Sequence, residues 1–202
     1  MVIKMKKITD NIIFRLIIAS TAVFLIGAIF TLVTNADEVT DKFVRFHIIG
    51  NSDSKADQEI KMKVREEIFI NLDLSGIKSK EEAITFFEAE KDSLEEIADK
   101  TLEANGFIYK ANVKVGRKNF PIREYTSFAL PSGTYDAVSI ELGEAKGKNF
   151  FCVMYPGLCI IDGISEKNDT SVLSDKEINT ITGDNVVIKF KIAEIFNKII
   201  QK

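Results

Sequence analysis

Three sets of residues in this chain are of types that do chemistry. His47, Ser52 and Asp53 fall within one short segment, and histidine, serine and aspartate are the base, nucleophile and orienter of a hydrolytic relay. Such a relay is set by geometry in space, and no strand–elbow–helix motif surrounds Ser52. The run Asn51-Ser52-Asp53-Ser54 also reads as a strand end, a turn and a helix cap. Cys152 and Cys159 are the only cysteines, with Pro156-Gly157 between them. Together with His47 they number three ligands, but the paired close spacing of a zinc site is missing. No Gly-rich phosphate loop follows a strand. Glu88, Glu90, Asp92, Glu95 and Glu96 form an acidic run that reads as a solvated helix face, not a metal site. No metal, no cofactor and no small-molecule substrate is expected.

Composition narrows the class. A chain of 202 residues with 46% hydrophobic and 28% charged residues can bury a real core in one domain. Its net charge of −3 and lack of a basic stripe argue against nucleic acid, which is held by neutralising phosphates.

The N-terminus bears on the compartment. Lys4, Lys6, Lys7 and Arg15 precede Leu16–Val33, an uncharged apolar run. Such a run is apolar all round, unlike a surface helix. A cationic flank stays in the cytoplasm, so the chain beyond Val33 is expected outside it. Residues 1–36 therefore read as a signal peptide or a membrane anchor crossing through residues 16–33, and 37–202 as an extracytoplasmic domain. Thr34-Asn35-Ala36 offers small residues for a cut before Asp37. The run is nevertheless long for a cleavable core and approaches a full span. Both readings stand.

The elements that must position these residues form an α+β pattern. Alternation over Phe43–Ile49 predicts a strand that ends at Gly50. Ser54 is a helix cap, followed by Ile60, Val64, Ile68 and Leu72 at helical spacing. A second helix is expected from Ser79, with Glu82 closing a capping box and a stripe through Ala83, Phe87, Leu94, Ile97 and Ala98. Asn105-Gly106 ends it. Phe107–Val115 alternates as a strand, Arg117-Lys118-Asn119 reads as a turn, and Phe120–Tyr125 as a further strand. Tyr135–Leu142 and Phe150–Tyr155 are strands either side of a loop over 143–149. Residues 162–175 are polar and read as loose. From Val186 an amphipathic helix shows Ile188, Ile192, Ile195, Phe196 and Ile199 on one side, a stripe expected to pack on the sheet. The fold class is α+β: a mostly antiparallel sheet, two N-terminal helices and a C-terminal amphipathic helix, behind the N-terminal signal or anchor helix.

Three segments carry a resemblance: Arg45–Asp53, Leu130–Tyr135 and Gly143–Cys159. The chain resembles stage II sporulation protein R, a secreted signalling family of endospore-forming bacteria. Arg45, His47, Asn51, Ser52, Asp53, Asp57 and Gln58 match the first motif, which continues through Lys61, Val64 and Arg65. Pro131, Gly133 and Tyr135 match the second, and Gly147, Asn149, Cys152, Pro156 and Cys159 the third. Phe150-Phe151 stands where tryptophans are frequent, and Gly50 where alanine is common. The resemblance implies a non-enzymatic messenger made in the forespore and acting between the forespore and mother-cell membranes. It implies one partner, a membrane-embedded aspartic protease that processes the pro-form of the early mother-cell sigma factor. Arg45, His47, Asn51, Ser52 and Asp53 are the partner-binding candidates.

The residues leave other classes open. An exported membrane-associated hydrolase would use His47 with Asp53. The C-terminal helix, with Lys189, Lys191, Lys198 and Lys202, could instead lie on an anionic membrane. In an exported chain Cys152 and Cys159 read as a disulfide; reduced, buried thiols are the alternative.

Overall fold

The computed structural model describes residues 2–125, 127–157, 173–183 and 185–200. Helix α1 (Val2–Thr40) contains an apolar stretch, Ile12–Thr31, long enough to cross a membrane and not buried at any point. It continues unbroken past residue 36, and Val39 is buried in the domain. Strand β1 (Val44–Ile49) follows, then α2 (Lys55–Asn71), α3 (Lys80–Ala89) and α4 (Lys91–Ala104). Next come β2 (Ala111–Phe120), β3 (Arg123–Glu124), β4 (Ala129–Leu130), β5 (Gly133–Leu142) and β6 (Asn149–Tyr155). Helices α5 (Asp175–Ile181) and α6 (Val186–Ile200) complete the described chain.

Four strands form one sheet in the order β2-β5-β1-β6. β5 pairs antiparallel with β2 and parallel with β1, and β6 pairs antiparallel with β1. The fold is α+β with a mixed, mostly antiparallel sheet, as the sequence pattern predicts. Strand alternation divides the residues between two buried faces. Val44, Phe46 and Ile48 point to one core, with Val138, Ile140 and Leu142, and α2–α4 cover it through Ile60, Val64, Ile68, Phe87, Leu94 and Leu102. Tyr135, Ala137 and Val153 face a second core closed by Val39, Phe120, Leu130, Leu173 and Ile181. Arg45 and His47 alternate with the first set and so fall on this second side.

Several features differ from the pattern expected. The strand expected over Phe120–Tyr125 is reduced to the two-residue β3, paired with β4 in a separate small sheet, while Phe120 itself ends β2. The single helix predicted after Ser79 is two, because Glu90 (φ −86°, ψ 1°) leaves helical geometry. Its N–H closes α3 on Phe86 and its carbonyl opens α4 on Leu94. The break lets α4 lie on α2 and β2 while Ala83 and Phe87 face the sheet. Glu82 does not close a capping box on Ser79; it accepts from the Lys78 N–H, while Ser79 Oγ accepts from the Glu82 N–H. β2 runs straight through the predicted turn at 117–119. Those polar residues are paired across to β5: Asn119 with Thr134, and Lys118 with Ser139 and Glu141. Finally, the isoleucine stripe of α6 is exposed, and Val186, Phe190 and Ala193 face inward instead. α6 carries two apolar stripes, and the shorter one fits the surface around Ala129 and Ile122.

Cys152 is wholly buried on β6 and disulfide-bonded; Cys159 and most of the polar stretch 162–175 lie outside the described residues. A Cys152–Cys159 bond closes a short ring that restricts the unfolded chain by about 2.5 kcal/mol in the loop-entropy account. The expected result is no free thiol per denatured, unreduced chain. Two labelled thiols would refute the bond.

Candidate functional site

A polar cluster joins the turn after β1 to the loop between β5 and β6. Two short loops meet there, and neither has regular structure to satisfy its backbone. The Gly147 N–H donates to the Gly50 carbonyl at 2.8 Å and the Lys146 N–H to the Asn51 carbonyl at 3.1 Å. Side chains finish the lacing. The Asn51 Oδ1 accepts from the Glu144 N–H (2.9 Å), and Asp53 Oδ1 from the Lys148 N–H (2.7 Å). Lys61, buried on α2, donates to the Lys148 carbonyl at 2.9 Å and to Gln58 at 2.6 Å. Burial lowers its pKa, with Asp53 opposing and Lys148 adding to that shift. A Cβ on Gly147 would collide with the Ser52 carbonyl, so the close approach requires glycine there.

Asp57 is the hub of this clamp. Its carboxylate accepts from Ser52 Oγ (2.5 Å), Asn51 Nδ2 (3.0 Å) and Tyr109 Oη (2.6 Å). Its own N–H donates to Ser54 Oγ, the cap of α2. Burial would raise the Asp57 pKa, but the bonds from Ser52, Tyr109, Asn51 and Ser54 outweigh it and hold the carboxyl at about 2. The same burial and the Asp57 contact push the Tyr109 phenol up. Asp57 therefore stays charged as a fixed acceptor, which suits a structural pin and not a proton donor.

Arg45 is 0% exposed. Its guanidinium lies 4.3 Å from the Phe120 ring centroid and 4.9 Å from that of Tyr135. One Nη donates to Tyr125 Oη at 2.9 Å, while Nε and the other Nη have no hydrogen-bond partner among the described residues. His47, 3% exposed, sits beside it between Phe120 and Phe151. His47 Nε2 and Ser139 Oγ are 2.5 Å apart, and Lys118 reaches the same Ser139 oxygen at 3.3 Å. Lys118, Ser139 and Glu141 also line an open depression of about 400 Å³.

The structure thus brings Asn51, Ser52 and Asp53 together, but sends Arg45 and His47 to the opposite end of the alternation. His47 pairs with Ser139 and not with Asp53, whose carboxylate is taken by the Lys148 backbone. Among the described residues His47 Nδ1 has no hydrogen-bond partner, so no carboxylate orients the ring in the way a catalytic relay uses. Arg45 and His47, two of the partner-binding candidates, are withdrawn from solvent in this conformation. Nothing local in the sequence marks Tyr109, Ser139 or Glu141. Ser139 and Glu141 come to the site through cross-strand register, which puts His47 opposite Ser139, and Tyr109 through a contact 52 residues away in the chain. Nor is the acidic helix face wholly solvated: Asp99 and Glu95 accept from the Ala111 and Val113 N–H groups of edge strand β2. Among the described residues no histidine, cysteine and carboxylate cluster could hold a metal ion.

Burial, aided by Lys118 and Arg45 and opposed by Glu141, lowers the His47 pKa from 6.5 to about 4. Between those values the unfolded chain binds a proton that the folded chain refuses. Stability from this residue is therefore present above pH 6.5 and lost as pH falls toward 4, on the order of 3 kcal/mol in all. His47→Gln should lose less stability than the wild type over that range in denaturant titrations. Parallel pH profiles would mean that the imidazole is solvated.

A family profile described as stage II sporulation protein R matches residues 40–165, starting at the last residue of α1 and taking in both loops of the clamp. The Bacillus subtilis (strain 168) stage II sporulation protein R is 29% identical over 180 residues, covering 77% of this chain and 80% of that relative. No solved structure matches. A profile that covers the sheet, the helical layer and the clamp is a match to the folded body of the protein, and the chain belongs to the stage II sporulation protein R family.

Proposed function

We propose that this chain is an exported sporulation signal that works by binding. Its folded part, residues 37–202, engages the extracytoplasmic face of a membrane-embedded aspartic protease in the space between forespore and mother-cell membranes. The engaged protease then processes the pro-form of the early mother-cell sigma factor. The observation that carries the reading is the order of parts: a membrane-length apolar stretch, Ile12–Thr31, precedes the family match, which begins at the last residue of α1. α1 delivers the domain across the membrane, as leader or as anchor.

The state of the polar residues favours a ligand over a catalyst. A nucleophile or base must reach its substrate, yet the carboxylate of Asp57 and the side chains of Asn51 and Ser52 are taken up by one another, and His47 is sealed between aromatic rings. What the clamp presents outward is a stiff pair of loops. Asp53 and Ser54 on one, with Glu144, Lys146 and Lys148 on the other, are exposed. Polar side chains held on a rigid base are suited to recognition.

The test replaces Asn51 and Asp53 singly by alanine and measures thermal stability and activation separately. Activation should fall beyond what the stability loss explains. A fall strictly in proportion would leave these residues a structural role only. Hydrolysis of peptide or glycan by the purified chain, abolished by His47→Gln, would replace the ligand reading with an enzymatic one.

A further inference from the structure

The inward stripe of α6 is small, and the outward one is large and uncovered. Val186, Phe190 and Ala193 are buried, whereas Ile188, Ile192, Ile195 and Ile199 are 55%, 43%, 59% and 67% exposed. At about 100° per residue the four isoleucines fall within about 60° of arc, nearly opposite the buried trio. By the same spacing Lys189 flanks them on one side, and Lys191 and Lys198 on the other. A contiguous apolar face of this kind marks a contact surface. Lysines along both edges suit one contact in particular, because their stems lie on apolar matter while the ammonium groups reach phosphates.

The neighbour of α6 identifies the occupant. α6 packs on α1, the helix whose Ile12–Thr31 stretch has the length and exposure of a membrane span. From Ile12 to Thr34 the partly covered described positions of α1 are Ile29, Val33 and Thr34, all at the domain end of that stretch. The exposed isoleucines are therefore carried beside the place where α1 would leave the apolar layer.

We propose that the isoleucine face of α6 is embedded in the lipid bilayer, in the leaflet from which α1 emerges, with its lysines at the level of the lipid phosphates. This rests on the reading of α1 as a membrane-inserted segment. It adds that the domain is held to the membrane at two points, which fixes its orientation toward a partner in the same membrane.

The chain has no tryptophan, so single tryptophans report position without background. The full chain is reconstituted in vesicles of phosphatidylcholine and phosphatidylglycerol, with and without bromine on the acyl chains near the headgroup. Ile195→Trp and Ile192→Trp test α6, and Ile26→Trp tests α1 alone. Both sites on α6 are exposed, so the fold should tolerate the ring. Brominated lipid should lower Ile195→Trp and Ile192→Trp emission by at least about two-fold, with a blue shift. Quenching of Ile26→Trp without quenching at 192 and 195 would leave α1 inserted and overturn the proposal. Quenching at 192 and 195 without quenching at Ile26→Trp would keep the isoleucine face in lipid but overturn the anchor reading of α1, and with it the attachment at two points. A blue shift at 195 that bromine does not touch, and that grows with protein density, would mean that a second copy covers the face, and would also overturn it.

Discussion

Asp57→Ala is expected to destabilise the domain by about 3–5 kcal/mol, because it strands three buried or half-buried donors at once. Ser52, Asn51 and Tyr109 each donate a hydrogen bond to this carboxylate, and a donor left without an acceptor costs about 1–3 kcal/mol. Asp57→Asn should cost less, about 2 kcal/mol, since one carbonyl oxygen still accepts while the new amide confronts a donor. The damage should concentrate in the clamp. Hydrogen exchange at the Lys146, Gly147 and Lys148 amides should accelerate before exchange in β5, because those amides are held only through the two loops. An alanine variant within about 1 kcal/mol of wild type would mean that the clamp is not a cooperative unit.

Arg45 gives the second large effect, and its two variants should differ sharply in stability. Arg45→Ala removes the largest fully buried side chain and leaves a hole between Phe120 and Tyr135, at a cost of about 3–5 kcal/mol. Arg45→Met keeps most of the volume while removing a desolvated charge with two unpartnered nitrogens. Such replacements are often neutral, or stabilising by about 1–4 kcal/mol. Denaturant unfolding of both variants measures the contrast. Since the guanidinium meets no solvent, the methionine variant should also retain activation. A stable Arg45→Met protein that cannot activate would show that the domain must open to expose this charge to its partner.

Legibility followed the range of the interactions. β1, the Ser54 cap and the register of α2 depend on neighbours within a few residues, and their pattern is plain along the chain. The same holds for Gly106, which takes φ +81° at the end of α4. The clamp was legible in part: the turn at 51–54 stood out, but Asp57 looked like an ordinary first-turn acid. Its partner Tyr109 lies 52 residues away, and nothing local marks the pair. The full length of β2 is not legible, because the polar run Arg117-Lys118-Asn119 has the composition of a turn, and only its cross-strand partners on β5 make it strand. The strand alternation correctly set Arg45 and His47 apart from Phe46 and Ile48. It did not reveal that their side is also buried, since that depends on the end of α1, on α5 and on the β3–β4 pair closing over it. α6 shows a further limit. Two apolar stripes occupy opposite sides of one helix, and hydrophobicity alone does not say which of them the domain covers.

In the function proposed above, this chain switches on a protease by contact at its extracytoplasmic face. The most direct measurement is co-expression of the full chain with the membrane-embedded aspartic protease and its pro-sigma substrate in a host that does not sporulate. Immunoblotting reads the length of the pro-form. Shortening should require both proteins, persist with His47→Gln, and coincide with recovery of the protease on the tagged chain from solubilised membranes. Shortening that proceeds equally without the chain, or a folded chain that neither binds the protease nor changes its output, would contradict the account.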